Sequence, residues 1–372
     1  MIKKITFLIM ITPLLESSNY IDTLKVPKNF EITLFAENLD SPRQITETKK
    51  GHIIVGSKKG TEVIALIDRN NDKVFEEQVV VANNLQNPAG VAYFKGDLYF
   101  AEMDTIWIIK NIDEWLDLST NSSDLPNKEI YMDDLPSETW HGLKYIDFGP
   151  DDNLYIPVGV PCNICLEPQT KDPRFAAIHK YENGELITIA DGVRNSVGFD
   201  WHPVTKKLYF SDNGRDWLGD DSPSCELNVV NEEGSFYGYP FKHAKNVIDP
   251  EFGVMIPSVG KEFVDPIAEL GAHVAPLGIA FYDGKEFPEK YHNSVFIALH
   301  GSWNRTKKSG YKVILVKLDD NGNYLYQEDF ITGWLSNETA WGRPAAPFVM
   351  SDGSLLVSDD KHNVIYKVQY KG

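Results

Sequence analysis

The residues best suited to chemistry lie in a few short segments punctuated by glycine. Trp140-His141-Gly142-Leu143-Lys144 carries a histidine, the side chain that exchanges a proton most readily near neutral pH. Gly192-Val193-Arg194-Asn195-Ser196-Val197-Gly198 sets a fixed cation beside an amide, between two glycines. Such groups suit carboxylates, or a carbonyl oxygen that gains negative charge. Ser211-Asp212-Asn213-Gly214-Arg215-Asp216, then Glu226-Leu227-Asn228 and Gly234-Ser235-Phe236-Tyr237-Gly238-Tyr239-Pro240, are rich in the oxygen donors that calcium takes. Their spacing is not that of an EF-hand. His300-Gly301-Ser302-Trp303-Asn304-Arg305 and Trp341-Gly342-Arg343-Pro344 crowd Gly, Trp, Arg and His together, which is the profile of a binding loop. Each segment also has a plain structural reading: a histidine holding a loop, an arginine paired between strands, a solvated acidic turn.

These loops need elements to position them. Six apolar, strand-length runs recur every 45–87 residues, centred on Ile54, Tyr99, Tyr155, Tyr209, Phe296 and Leu356. A repeat of this size matches a four-stranded propeller blade plus variable loops. The expected fold is therefore all-β, a six-bladed β-propeller. Such a fold gathers the loops of every blade around one central mouth, so His141, Arg194 and Arg343 can converge there. We take the runs as the strands nearest the channel, with the chemical loops immediately ahead of them.

The composition narrows the function. Over 372 residues the formal charge is −18, which argues against nucleic acid as a partner. No nucleophile elbow, phosphate loop or dinucleotide fingerprint occurs in the sequence. Met1-Ile2-Lys3-Lys4 and the apolar stretch Ile5–Leu15 read as a signal peptide over residues 1–19, short for a membrane span, with an uncleaved anchor or tail as the alternative. Residues 20–372 then form one propeller domain in a periplasmic or secreted protein. In that setting Cys162 and Cys165 could close a local disulfide, leaving Cys225 unpaired.

Taken together and in this order, the segments from His141 to Asp151, Gly192 to Gly198, Glu226 to Pro240 and His300 to Arg305 resemble the soluble quinoprotein sugar dehydrogenases. The resemblance spans residues 25–370 and is nearest to the sorbosone dehydrogenase-like and aldose sugar dehydrogenase branch. It implies a propeller that binds pyrroloquinoline quinone (PQQ) and Ca2+. His141 matches the general base, Arg194 and Asn195 the pair on the quinone, and Glu226 and Tyr237 a calcium position. Gln86, Arg305 and Arg343 fall near cofactor-contacting positions. The implied reaction is oxidation of a sugar, aldehyde or polyol: His141 takes the hydroxyl proton, hydride passes to the quinone, and electrons leave to an external quinone or cytochrome. Two departures stand out. Asn213-Gly214-Arg215 replaces a Gln-Gly-Pro calcium turn, and Asn87-Pro88-Ala89 replaces a glycine-rich stretch after Gln86. Two other functions suit a propeller: a calcium-dependent lactonase, and a binding module without catalysis.

Overall fold

The computed structural model describes residues 20–70, 72–118 and 124–372. The expected signal peptide, residues 1–19, lies outside the described residues. Six antiparallel blades surround a central channel. Their innermost strands are Pro42–Glu47, Gly90–Phe94, Asp147–Phe148, Phe199–Trp201, Pro276–Phe281 and Pro344–Val349. The next strand outward is Ile53–Ser57, Asp97–Ala101, Leu154–Val158, Leu208–Asp212, Ser294–Leu299 and Leu355–Asp359 in turn. The six apolar runs are thus second strands, one position further from the channel than the sequence suggested. The reason is burial on both faces. Five of these second strands are buried at every residue, because the neighbouring blades cover both sides. The innermost strands signal less clearly: Arg43 and Gln44 interrupt the first, and Gly, Ala and Pro dilute Gly90–Phe94, Pro276–Phe281 and Pro344–Val349.

The turns follow from their residues. Strands Gly90–Phe94 and Asp97–Ala101 are joined by Lys95 and Gly96 with φ of 52° and 97°. Two consecutive left-handed residues make the tight turn that matches the twist of a hairpin, and glycine takes the second place at no steric cost. The ring closes through the chain's beginning. Strand Phe30–Ala36 pairs antiparallel with Val364–Tyr370 and supplies the outermost strand of the last blade. Closure of this kind ties the first and last parts of the ring into one sheet.

Between the blades lie separate apolar layers. Ile54, Val63 and Ala65 of the first blade pack with Val91, Leu98 and Phe100 of the second. At the closure, Phe30 meets Phe287, Tyr291 and Phe330 edge-on, with centroids 4.7, 5.2 and 5.3 Å apart. Each such side chain contributes about 1.5–3 kcal/mol on burial. Cys162 and Cys165 form a disulfide in the loop leaving the second strand of the third blade, and Cys225 is a buried free thiol.

Candidate active site

Every innermost strand begins at the same end of the channel, and every second strand returns to it. Two sets of residues therefore meet at this upper mouth. Arg43, His141, Arg194, Asn195 and Arg343 stand at or ahead of innermost strands, while Lys58, Asn213, His300 and Asp360 stand one residue past second strands. All but Asp360 line a cavity of about 400 Å³, together with Trp140, Asp216, Cys225, His273 and Trp303.

His141 sits with φ of 57°, an uncommon left-handed setting for a residue with a side chain. Its Nδ1–H donates to the carbonyl of Val160 at 2.7 Å, and its Nε2 accepts from the indole N–H of Trp140 at 3.0 Å. Because a carbonyl only accepts, the proton resides on Nδ1 and the lone pair on Nε2. Burial, reinforced by Arg194, lowers the pKa to about 3. The imidazole is therefore neutral across the physiological range, which is the state a base requires. Gly159 makes room for it. A Cβ there would stand 2.8 Å from the Cβ of His141 and 2.9 Å from Oδ1 of Asn195.

Arg194 is buried, and its guanidinium donates to the carbonyl of Asn163 at 2.9 Å, to Asn163 Oδ1 at 3.0 Å and to the carbonyl of Asn213 at 3.0 Å. Its nearest carboxylate, Asp216, is 3.9 Å away. A cation held mainly by neutral oxygens keeps its charge available to a ligand. The backbone beneath is pinned by Asp212, which accepts the N–H groups of Arg194 at 2.9 Å and Asn195 at 2.7 Å. Across the cavity, Asp360 joins three groups: Arg43 at 2.9 Å, Lys58 at 3.3 Å and His300 at 2.8 Å. These partners hold the Asp360 carboxyl far below the usual range despite its burial. Arg343 donates to the carbonyls of His300, at 2.9 Å, and Gly301. Four cations thus line the cavity with Asp216, and Asp360 lies behind Arg43 and Lys58, a local excess of positive charge in a chain whose net charge is −18. That surplus suits a compact polyanion bearing several carboxylates.

Behind this wall lies the calcium candidate. Glu226 stands opposite Asp212 on paired strands, and both are buried. Burial, with Asp212 adding repulsion, pushes Glu226 up to about 8, and burial pushes Asp212 up to about 6. Glu226 accepts the N–H of Ala244 at 2.6 Å and the side-chain amide of Asn228 at 2.9 Å. The Oδ1 of Asn228 is buried without a partner. Two buried carboxyls and an orphaned amide oxygen call for a proton or a hard cation. The Tyr237 hydroxyl donates to the carbonyl of Val229 at 2.8 Å, which leaves the Tyr237 backbone carbonyl as the group that the resemblance assigns to calcium. Arg215 is paired with the fully buried Asp249, which also takes His243 at 2.9 Å, so its charge is already balanced.

The structure therefore brings His141, Arg194, Asn195 and Arg343 together around one cavity. Gln86 is exposed outside that lining, with its backbone N–H on Glu102. Arg305 is also outside it, donating to the carbonyl of Asp220 at 2.9 Å and to Asp221 at 2.6 Å, which ties two loops together. Sequence reasoning missed Arg43, Lys58, Asn163 and Asp360. A usable signal existed for two of these. Lys58 and Asp360 follow the apolar runs at the register that places Asn213 and His300 in the wall.

Residues 258–371 match the family described as TrAA12-like. An uncharacterized protein of Borreliella burgdorferi is 37% identical over 359 residues, covering 94% of this chain and 91% of that one. Among solved structures, the Trichoderma reesei enzyme of carbohydrate-active enzyme family AA12 superposes with a TM-score of 0.77 at 19% identity, over 93% of this chain and 97% of that one. That enzyme is also known in a calcium structure. The holo PQQ domain of pyranose dehydrogenase from Coprinopsis cinerea gives 0.74 at 18% identity, over the same shares of each chain.

Proposed function

Because the chain belongs to one family with the Borreliella burgdorferi protein and is TrAA12-like over residues 258–371, we propose that it is a PQQ-dependent dehydrogenase acting on a sugar or a related aldehyde or polyol. The observation that carries this reading is an uncharged imidazole standing in a cavity with four cations. The quinone, when bound, supplies a two-electron acceptor, which no side chain of the cavity offers. Arg43, Lys58, Arg194 and Arg343 would hold its carboxylates, with the Asn195 amide beside them. The AA12 and pyranose dehydrogenase structures support this reading through their shared fold.

The roles of this chain's own residues follow from their chemistry. His141 Nε2 takes the proton of the substrate hydroxyl, and its Nδ1–H stays on Val160, which keeps the ring oriented. Arg194 places a fixed cation where negative charge gathers, and removal of one such donor costs about 10²–10³ in rate. Calcium would find Glu226, Asp212 and Asn228 Oδ1 behind the wall, and its charge would relieve the repulsion between the two carboxyls. A lactonase would need carboxylate and amide ligands meeting on the axis; at this mouth Asn195, Asn213 and Asp216 stand among four cations, which repel a bound metal ion. Electrons leave to an external quinone or cytochrome. The Cys162–Cys165 disulfide supports a periplasmic or secreted setting, and among the described residues no helix is long and apolar enough to cross a membrane.

The test is titration of metal-free protein with PQQ and calcium, followed by dye reduction across aldoses, aldehydes and lactones. Saturable PQQ binding with sugar-dependent reduction is the expected result. Absence of PQQ binding with and without calcium overturns the proposal.

A further inference from the structure

Trp140 precedes the base and lines the same cavity, yet its side chain remains 52% exposed. Its indole N–H lies on His141 Nε2 at 3.0 Å, with the rings crossed at 73° and centroids 5.9 Å apart. With Nδ1 committed to Val160, both imidazole nitrogens are occupied, and the lone pair that would receive a substrate proton is already paired. A substrate hydroxyl reaches Nε2 only when the indole gives it up.

The backbone under this pair is held firmly. Lys144 is buried and donates from Nζ to the carbonyls of Gly142 at 2.7 Å and Pro136 at 3.2 Å, which clasps both ends of the turn. Gly142 has no room for a side chain, since a Cβ would fall 2.0 Å from the carbonyl oxygen of Glu138. The main chain at His141 is therefore fixed, while the half-exposed indole has freedom to turn about its own torsions.

We propose that Trp140 determines specificity by transferring its indole N–H from His141 Nε2 to a second oxygen of the substrate, next to the reacting hydroxyl. Gauche oxygens on adjacent carbons lie about one hydrogen-bond length apart, roughly 2.8 Å. Two oxygens so spaced can reach both the imidazole and the indole nitrogens, which stand 3.0 Å apart before a ligand enters. A vicinal diol then offers its O–H to Nε2 and an acceptor oxygen to the indole, so one hydrogen bond is given up and two are formed. An isolated alcohol satisfies Nε2 alone and leaves the indole N–H to water. The favoured substrates carry oxygen on neighbouring atoms, as sugar rings do. Because the indole is half-exposed, water offsets part of the loss, and the preference is about tenfold, equivalent to about 1.4 kcal/mol.

This inference rests on the reading of His141 as the base, so its test is independent of turnover. PQQ-free protein carrying ¹⁵N-histidine is titrated with trans-cyclohexane-1,2-diol and with cyclohexanol, and the His141 Nε2 resonance is followed by NMR. The wild type is expected to bind the diol about tenfold more tightly. Trp140→Phe keeps the ring but removes the donor. It is expected to move the Nε2 resonance of the free protein and to bring the two affinities within about twofold of each other. Equal affinities in the wild type, or a preference unchanged in Trp140→Phe, overturn the proposal. Failure of the dehydrogenase reading would show elsewhere, as absent PQQ binding, and would leave this ligand comparison intact.

Discussion

The two ends of the channel are built by the same six strands and differ in charge. At the upper mouth Arg43, Lys58, Arg194 and Arg343 surround His141. At the lower mouth a cavity of about 240 Å³ is lined by Asp147, Asp200 and Asp283, with Lys206 as its cation. Gln44 bridges the interior between them, donating to the carbonyl of Ile146 at 2.7 Å and accepting from the N–H groups of Val91 and Ile146 at 3.2 Å each. Burial raises Asp147 to about 6 and Asp200 to about 7. The upper mouth thus has charge stabilised for an anionic ligand, and the lower one has carboxyls driven toward neutrality. Net charge describes neither end. An acidic surface and a cationic cavity coexist because closure of the propeller separates the channel lining from the exterior.

The sharpest way to break this contrast is to remove the base. His141→Asn is expected to lower turnover by about 10²–10⁴ while PQQ binding persists, measured by steady-state dye reduction beside a cofactor titration. Loss of cofactor binding on the same scale would instead make His141 structural. Arg194→Gln is expected to cost about 10²–10³ in turnover and to weaken PQQ binding, whereas Lys206→Gln at the lower mouth leaves both unchanged. Equal effects at the two ends would erase the distinction.

A smaller effect concerns Glu226. Its pKa of about 8 in the folded protein exceeds the ordinary 4.5, so the native state binds this proton more tightly than the unfolded chain. The stability it contributes is complete below about 4.5 and disappears as pH rises to about 8. Calcium competes with that proton, so its affinity climbs with pH over this range and binding releases a proton. Calorimetry in two buffers of different ionisation enthalpy measures the release, and Glu226→Gln is expected to reduce it to the part that Asp212 supplies. Smallest is Asp200→Asn. Asp200 is raised from 3.8 to about 7, so it too stabilises the native state at low pH and loses that contribution as pH rises from about 4 to 7. The variant is expected to flatten this part of the stability–pH curve, read by thermal denaturation, with PQQ affinity unchanged.

Much of this was legible in the residues. The recurrent apolar runs signalled the blades because a strand covered on both faces must be apolar along its whole length. His141, Arg194, Asn195 and Arg343 were legible because they stand in glycine-bounded loops ahead of strands. Arg43 was hidden inside an innermost strand, Pro42–Glu47, where its charge reads as an interruption of a strand pattern. The resemblance puts Gln86 and Arg305 near cofactor-contacting positions by order along the chain, yet a loop's position in sequence does not say which way it leaves the blade. Gln86 ends exposed, and Arg305 ends bound to the Asp220–Asp221 turn.

By itself, the sequence determined the number of blades, the loops that carry polar groups and the side chains capable of acid–base chemistry, since these depend on periodicity and residue type. Only the tertiary structure decided which loop residues share a cavity, that His141 is uncharged there, and that Trp140 occupies its free nitrogen. Those properties depend on burial and on distances between residues brought together by ring closure. No local pattern in the chain encodes them.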